Sequence, residues 1–206
     1  MTAIGWLTSC GAVLTALALI SMGFGLAGAA SGAAPLGLSA DQHDRLAAGE
    51  VVVLDTLPPG ASTSAGGGTA VGLVRAVPER VWPVLIDYRG HPRYYPRVVS
   101  AEVVESDAQH ALVRYEVGVG PLTFGFHMIK YPDAARRRIE WHLDPNHANN
   151  FFRENTGYWQ LDPAEGGSLV TYAIAVRTIL PGFVTGGAER ASLVDTIKKL
   201  RKLVES

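Results

Sequence analysis

The sequence predicts an α+β fold: a curved antiparallel sheet of about seven strands wrapped around one long C-terminal helix, with two short helices after the first strand. Three observations carry that prediction. Six successive segments between Val98 and Val176 alternate apolar and polar side chains with a period of two, and no helical pattern interrupts them. The last segment instead repeats every three or four residues, through Leu193, Ile197, Leu200 and Val204. Upstream, composition breaks twice, first at an uncharged amino-terminal stretch and then at a Gly/Ser/Pro-rich connection over residues 58–69.

From Ala3 to Ala34 there is no Lys, Arg, Asp or Glu, and the stretch closes on small residues, "GLAGAASGAAP". It reads as an export signal with Ala27-Gly28-Ala29 as a small-x-small cleavage site, or as a retained membrane anchor, since it nears the ~20 apolar residues a bilayer requires. The amino end "MTAIGW" lacks the positive charge usual in such signals, so both readings stand. Residues 1–33 are assigned to this leader, and the expected location is periplasmic, or anchored and facing the periplasm. The single cysteine, Cys10, lies inside it. Removal of the leader leaves a chain without thiols, which excludes disulfides, a cysteine nucleophile and thiolate metal sites.

Residues 34–69 form a lead-in. Ser39 and Gln42 make a capping-box pair for a short helix that Gly49 can end. "EVVVL" reads as a strand, and residues 58–69 as a flexible surface connection with too little apolar content to bury. Their glycines lack the following Lys-Ser/Thr of a phosphate loop.

The main domain is placed at 70–206. "AVGLVRAV" is a strand, and Pro78 opens a helix carrying Val81, Trp82, Leu85 and Ile86 at helical spacing, shortened or bent by Pro83. The run "DYRGHPRYYPRV", residues 87–98, cannot extend a helix through Gly90, Pro92 and Pro96. It reads as a cramped corner in which Asp87 caps locally, Tyr94 and Tyr95 form a lip, His91 is a surface turn residue and three arginines stay wet. In the second of the six strand candidates Val113, Tyr115, Val117 and Val119 share one face while Arg114 and Glu116 share the other. Short turns join the six, so they pair antiparallel.

A shell of this kind gripping one helix leaves a cavity unless bulky side chains fill it, and the small residues Gly186, Gly187, Ala188 and Ala191 favour the void. Candidate wall residues are Trp82, Tyr94, Tyr95 and Tyr115 from the first half, with Phe124 and Phe126 from "LTFGFHMIKY". Trp141, Tyr158 and Tyr172 follow from the later strands, and Phe183, Ala191 and Val194 from the end of the chain. His127 opposes the phase of Phe124, Phe126 and Met128 and is expected to face water or a partner. The triplet Arg153, Glu154, Asn155 lies between aromatics on a strand, so either one of the three points inward or a bulge turns all of them to solvent. Arg153 and Glu154 enter the candidate pocket on that basis.

Nothing in the chain demands catalysis. Ser168 sits in a hairpin exit rather than a nucleophile elbow, and His142, His147 and Asp144 surround a loop without helical ligand spacing, so neither catalytic nor metal residues are assigned. No cofactor is implied. Eighteen basic against 19 acidic side chains, with the one dense basic run on a helix face, exclude nucleic acid as an expected partner. The partners expected are a hydrophobic small molecule and, through the leader, a membrane; the oligomeric state stays open.

Three segments resemble the helix-grip superfamily of START-like (SRPBCC) proteins, which includes lipid carriers, birch-pollen allergen relatives, polyketide cyclases and coenzyme Q-binding proteins. They are "PERVWPVLIDYRGHPRYYPRVVSAEVVE" (78–105), "GYWQLDPAEGGSLVTYAIAV" (157–176) and "LPGFVTGGAERASLVDTIKKLRKLVE" (180–205). "LSADQHDRLAAGEVVV" is similar to the lead-in of exported members, whereas Pro83 departs from the usual small residue. The resemblance implies a ligand held between sheet and helix: a lipid, isoprenoid or quinone, sterol, or polyketide. It also implies an alternative, a cyclase or aromatase acting through pocket Tyr, Arg or His.

Overall fold

The computed structural model describes residues 37–179 and 188–206; the leader, Phe183, Gly186 and Gly187 lie outside the described residues. Helix α1 (Ala40–Ala47) opens with the anticipated capping box: Gln42 N–H donates to Ser39 Oγ, and the Gln42 side chain accepts from the Ser39 N–H. Gly49 then takes the left-handed conformation, φ 85°, that lets the chain turn into β1 (Val51–Leu54).

One eight-stranded antiparallel sheet follows, in the order β1-β2-β8-β7-β6-β5-β4-β3. Its remaining strands are β2 (Gly66–Val74), β3 (Val98–Ser106), β4 (Ala111–Val119), β5 (Leu122–Asp133), β6 (Arg138–Leu143), β7 (Phe152–Ala164) and β8 (Gly167–Thr178). The run from β3 to β8 is the six-strand meander that the alternation predicts. The count of about seven strands holds with one added at the edge, where β1 joins against β2. One expectation is corrected. The glycines assigned to a flexible connection also begin β2, where Gly67 pairs with Ala175 and a Cβ there would stand 2.1 Å from the Ile174 carbonyl oxygen. That close approach and a φ of 130° explain why a low-propensity residue holds this strand position.

Between β2 and β3 the chain forms α2 (Pro78–Ile86) and a 3-10 helix (Tyr88–Arg93). Pro83 lies inside α2 and is exposed, so its missing donor faces water; Asp87 ends the helix and accepts from Gly90 N–H at 3.2 Å. The C-terminal helix α3 (Ala188–Val204) buries Leu193, Ile197, Leu200 and Val204, as its spacing predicts. A Cβ on Gly72 would come within 2.7 Å of the Ile197 side chain, so the bare backbone of β2 is what lets Ile197 of α3 pack down onto the sheet there. The end of α3 is fixed by Arg80, which donates to the Val204 carbonyl at 3.0 Å, and by Arg201, which donates to that of Gly49 at 2.8 Å.

The two sheet faces have separate cores. Leu46 of α1 covers Val52 and Val71 on one face. The other face carries the main core with α3, and there Trp159, Tyr94, Leu85 and Ile139 are fully buried. Burial at about 25 cal/mol per Å² of apolar area holds the layers together.

Candidate functional site

Between the inner faces of β4–β8 and the first turns of α3 lies a cavity of about 160 Å³. The period-two phase decides its wall. On β4, Tyr115, Val117 and Val119 point inward; on β5, Phe126, Met128 and Lys130 do; on β6 it is Trp141, and on β8 Tyr172, Ile174 and Val176. Tyr95, Pro96, Arg97 and Val98 close one side, and Ser192 and Leu193 contribute from the helix.

Of the candidate residues, Tyr95, Tyr115, Phe126, Trp141 and Tyr172 meet at this cavity. Phe183 lies outside the described residues, and the other candidates stand elsewhere for identifiable reasons. Tyr94 is wholly buried in the core behind the wall, edge-on to Trp159 at 6.3 Å, instead of forming a lip. Phe124 stacks on Phe151 at 4.5 Å, and it is Phe151 that lines the space. Trp82 sits on α2 beside Pro78 and Arg137. Helix α3 is turned so that Ser192 and Leu193 face inward, leaving Ala191 exposed and Val194 packed on the core.

Strand β7 sorts the polar triplet. A register shift between Phe152 and Glu154 sets the phase so that Asn155, Gly157 and Trp159 point inward. Arg153 is exposed. Glu154 is on the opposite face, where it accepts from Ser62 N–H at 2.9 Å and from the Ser62 hydroxyl, with Arg177 3.9 Å away. Tyr158 is on that face as well, its ring under the Arg138 guanidinium at 3.8 Å. Asn155 is therefore the member of the triplet that reaches the cavity. Its Oδ1 accepts from Trp141 Nε1 at 3.2 Å.

His91 overturns the expectation of a surface turn residue: it is 1% exposed. Its Nε2 lies 3.0 Å from the Leu85 carbonyl oxygen and its Nδ1 2.7 Å from the Tyr115 hydroxyl. A carbonyl only accepts, so Nε2 carries the proton, Nδ1 accepts, and Tyr115 donates. Desolvation, with the nearby Lys130 charge, pushes His91 down to about 3, so the ring is neutral and serves as a post for Tyr115. Burial likewise raises Tyr94, Tyr95, Tyr115 and Tyr172 well above the ordinary phenol range. Trp159 Nε1 donates to the Tyr95 hydroxyl at 2.8 Å, and Tyr172 lies flat between Trp159 at 4.3 Å and Trp141 at 5.9 Å.

Lys130 is the residue that sequence reading missed. It is 3% exposed, its Nζ stands 4.2 Å from the Trp141 ring centroid and 5.4 Å from that of Tyr115, and desolvation pushes it down to about 7. The available signal was its phase, shared with Phe126 and Met128. His127 has the opposite phase and stacks on His147 at 4.1 Å outside the cavity, as expected. His147 and Asp144 are hydrogen-bonded, and no group of three or more metal-ligating side chains occurs among the described residues.

Solved structures with this fold are similar across most of the domain. The STAR-related lipid transfer protein of Xanthomonas axonopodis superposes with a TM-score of 0.62 at 17% identity, over 76% of this chain and 93% of its own. The Zhui aromatase/cyclase of Streptomyces sp. R1128 gives 0.56 at 19% identity, over 66% and 92%. A START superfamily protein of Mycobacterium smegmatis gives 0.56 at 17%, over 66% and 95%. No curated protein matches the sequence. The family described as polyketide cyclase / dehydrase and lipid transport matches residues 69–205, which run from within β2 through the end of α3 and hold every wall residue of the cavity. The chain belongs to that family.

Proposed function

We propose that this protein is an exported binding or transfer protein that holds a hydrophobic small molecule, such as a lipid, isoprenoid or quinone, sterol or polyketide, between its sheet and C-terminal helix. The observation that carries the reading is the aromatic and aliphatic cavity of about 160 Å³ against α3. Such a space loses water readily to an apolar guest. The uncharged leader supports the exported part of the reading; among the described residues no helix is long and apolar enough to cross a membrane.

The alternative is cyclase-type acid-base catalysis, which needs polar side chains converging on a substrate. Arg153, Glu154 and His127, whose convergence in the cavity would favour catalysis, all stand outside it, and the polar groups that do line it, Tyr95, Tyr115, Tyr172, Arg97 and Lys130, are spread over an aromatic and aliphatic wall. Binding is the better-supported reading. Its test is native mass spectrometry and solvent extraction of the full chain purified from its own host. One apolar compound recovered in stoichiometric amount is the expected result. An empty protein that also fails to take up added lipids, quinones and polyketides contradicts it. Activity of an alkaline phosphatase fused after the leader checks export separately.

A further inference from the structure

The cavity wall contains an amine that the fold leaves incomplete. Lys130 lies 3% exposed near the end of β5 remote from the β4–β5 turn, and it faces the cavity. Among the described residues no carboxylate pairs with it and no hydrogen bond reaches Nζ; its neighbours are the rings of Trp141 and Tyr115. Ring faces offset only part of the several kcal/mol that an isolated buried ammonium costs. A neighbouring donor is also unused. Asn155 accepts from Trp141 Nε1 through Oδ1 and lines the same wall, and among the described residues no hydrogen bond from its amide N–H groups is seen. Lys130 above the Trp141 ring and Asn155 at its Nε1 thus bring an ammonium and an amide to one side of a mostly apolar wall, with no carboxylate beside them among the described residues.

We propose that the cavity takes an amphipathic acid: an apolar, ring-bearing body with a carboxylate that pairs with Lys130 and accepts from the Asn155 amide. This rests on the reading of the cavity as a binding site. The aromatic wall, with Phe126, Trp141 and Tyr172, suits a flat body, and the carboxylate supplies the acceptor that Lys130 lacks.

The other titratable groups of this cavity and the core behind it are Tyr95, Tyr115 and Tyr172 on the wall and His91, Tyr88 and Tyr94 buried behind it; Arg97 lies exposed at the rim. Burial holds His91 below and the phenols above the neutral range. Lys130 is thus the group among them that exchanges a proton near neutrality. A carboxylate arriving at pH 8 draws a proton onto it.

The test uses the full chain with 2-naphthoic acid and its methyl ester, followed by tryptophan fluorescence and by calorimetry at pH 8 in two buffers of different ionisation enthalpy. The acid is expected to bind at least tenfold tighter than the ester and to take up a proton. In Lys130→Met the preference for the acid disappears, proton uptake is lost and the ester still binds. Equal binding of acid and ester by the unaltered protein, or an acid preference that survives Lys130→Met, overturns the anchor while leaving the container standing. Failure of both compounds to bind removes container and anchor together. If Lys130→Met does not fold, the acid-to-ester ratio and the proton uptake of the unaltered protein decide alone.

Discussion

The indole of Trp141 occupies the space above Gly157: a Cβ on that glycine would stand 2.4 Å from Trp141 Cζ2 and 2.2 Å from the Ala173 carbonyl oxygen. The flat placement of Trp141, and with it the seat of Lys130 and the bond to Asn155, depends on a missing side chain one strand away. Gly157→Ala is expected to destabilise the protein by about 1–3 kcal/mol, in the range of overpacked cores, and to displace the indole. Chemical denaturation measures the first effect and a blue or red shift of tryptophan emission the second. An unchanged midpoint and spectrum contradict this packing.

His91 makes the fold sensitive to acid. Its folded-state value of about 3 lies below the unfolded 6.5, so between those limits the unfolded chain binds a proton that the native one refuses. Stability attributable to His91 is complete above 6.5 and is lost as pH falls toward 3, by about 1.4 kcal/mol per unit at most. Denaturant melts at pH 7 and pH 4.5 are expected to differ less in His91→Gln than in the unaltered protein. An equal difference in both assigns acid lability to other groups.

Lys130 acts on the other side of neutrality. Its folded value of about 7 is below the unfolded 10.5, and the unfolded chain again holds the extra proton in between, so stability rises as pH climbs through that window. Without ligand, Lys130→Met is expected to raise stability at pH 6 by about 1–4 kcal/mol, since an apolar side chain replaces an unpaired buried charge. A destabilised variant at that pH, measured by calorimetric Tm, contradicts the isolation of this amine.

Glu154 provides the contrast. Its carboxylate holds the Ser62 end of the lead-in from the outer face. Glu154→Ala is expected to cost about 1–3 kcal/mol and to speed proteolysis within residues 58–65, with ligand affinity unchanged. A tenfold loss of affinity at normal stability places Glu154 in the binding machinery after all.

Much of this was legible in the sequence because it rests on period. Alternation gave the β3–β8 meander, including the exact limits of "VVSAEVVES" and "RIEWHL", and the 3–4 spacing gave the buried stripe of α3. Period failed where a local irregularity resets phase. The register shift at the start of β7 decides that Asn155 turns inward while Glu154 and Tyr158 turn away. It failed also where chemistry argued against burial. Lys130 kept perfect phase with Met128, and His91 sat among Gly and Pro in a run that reads as surface. Their burial is set by partners on other elements, Tyr115 on β4 and the Leu85 carbonyl of α2 for His91 and the Trp141 ring on β6 for Lys130, which the alternation of a single segment does not contain. The strand role of Gly66–Gly68 is hidden for the same reason: it depends on contact with β8.

The central claim is that the space between sheet and α3 is a binding cavity, and filling it is the most direct test. Ile174 lines the cavity from β8 and is only partly buried, so Ile174→Trp places an indole in the void without cutting the core. Titration of the full chain with the neutral fluorophore 1-aminoanthracene should show saturable one-to-one binding, weakened at least tenfold in Ile174→Trp at an unchanged melting temperature. Equal binding by both proteins, or no saturable binding by either, contradicts the account.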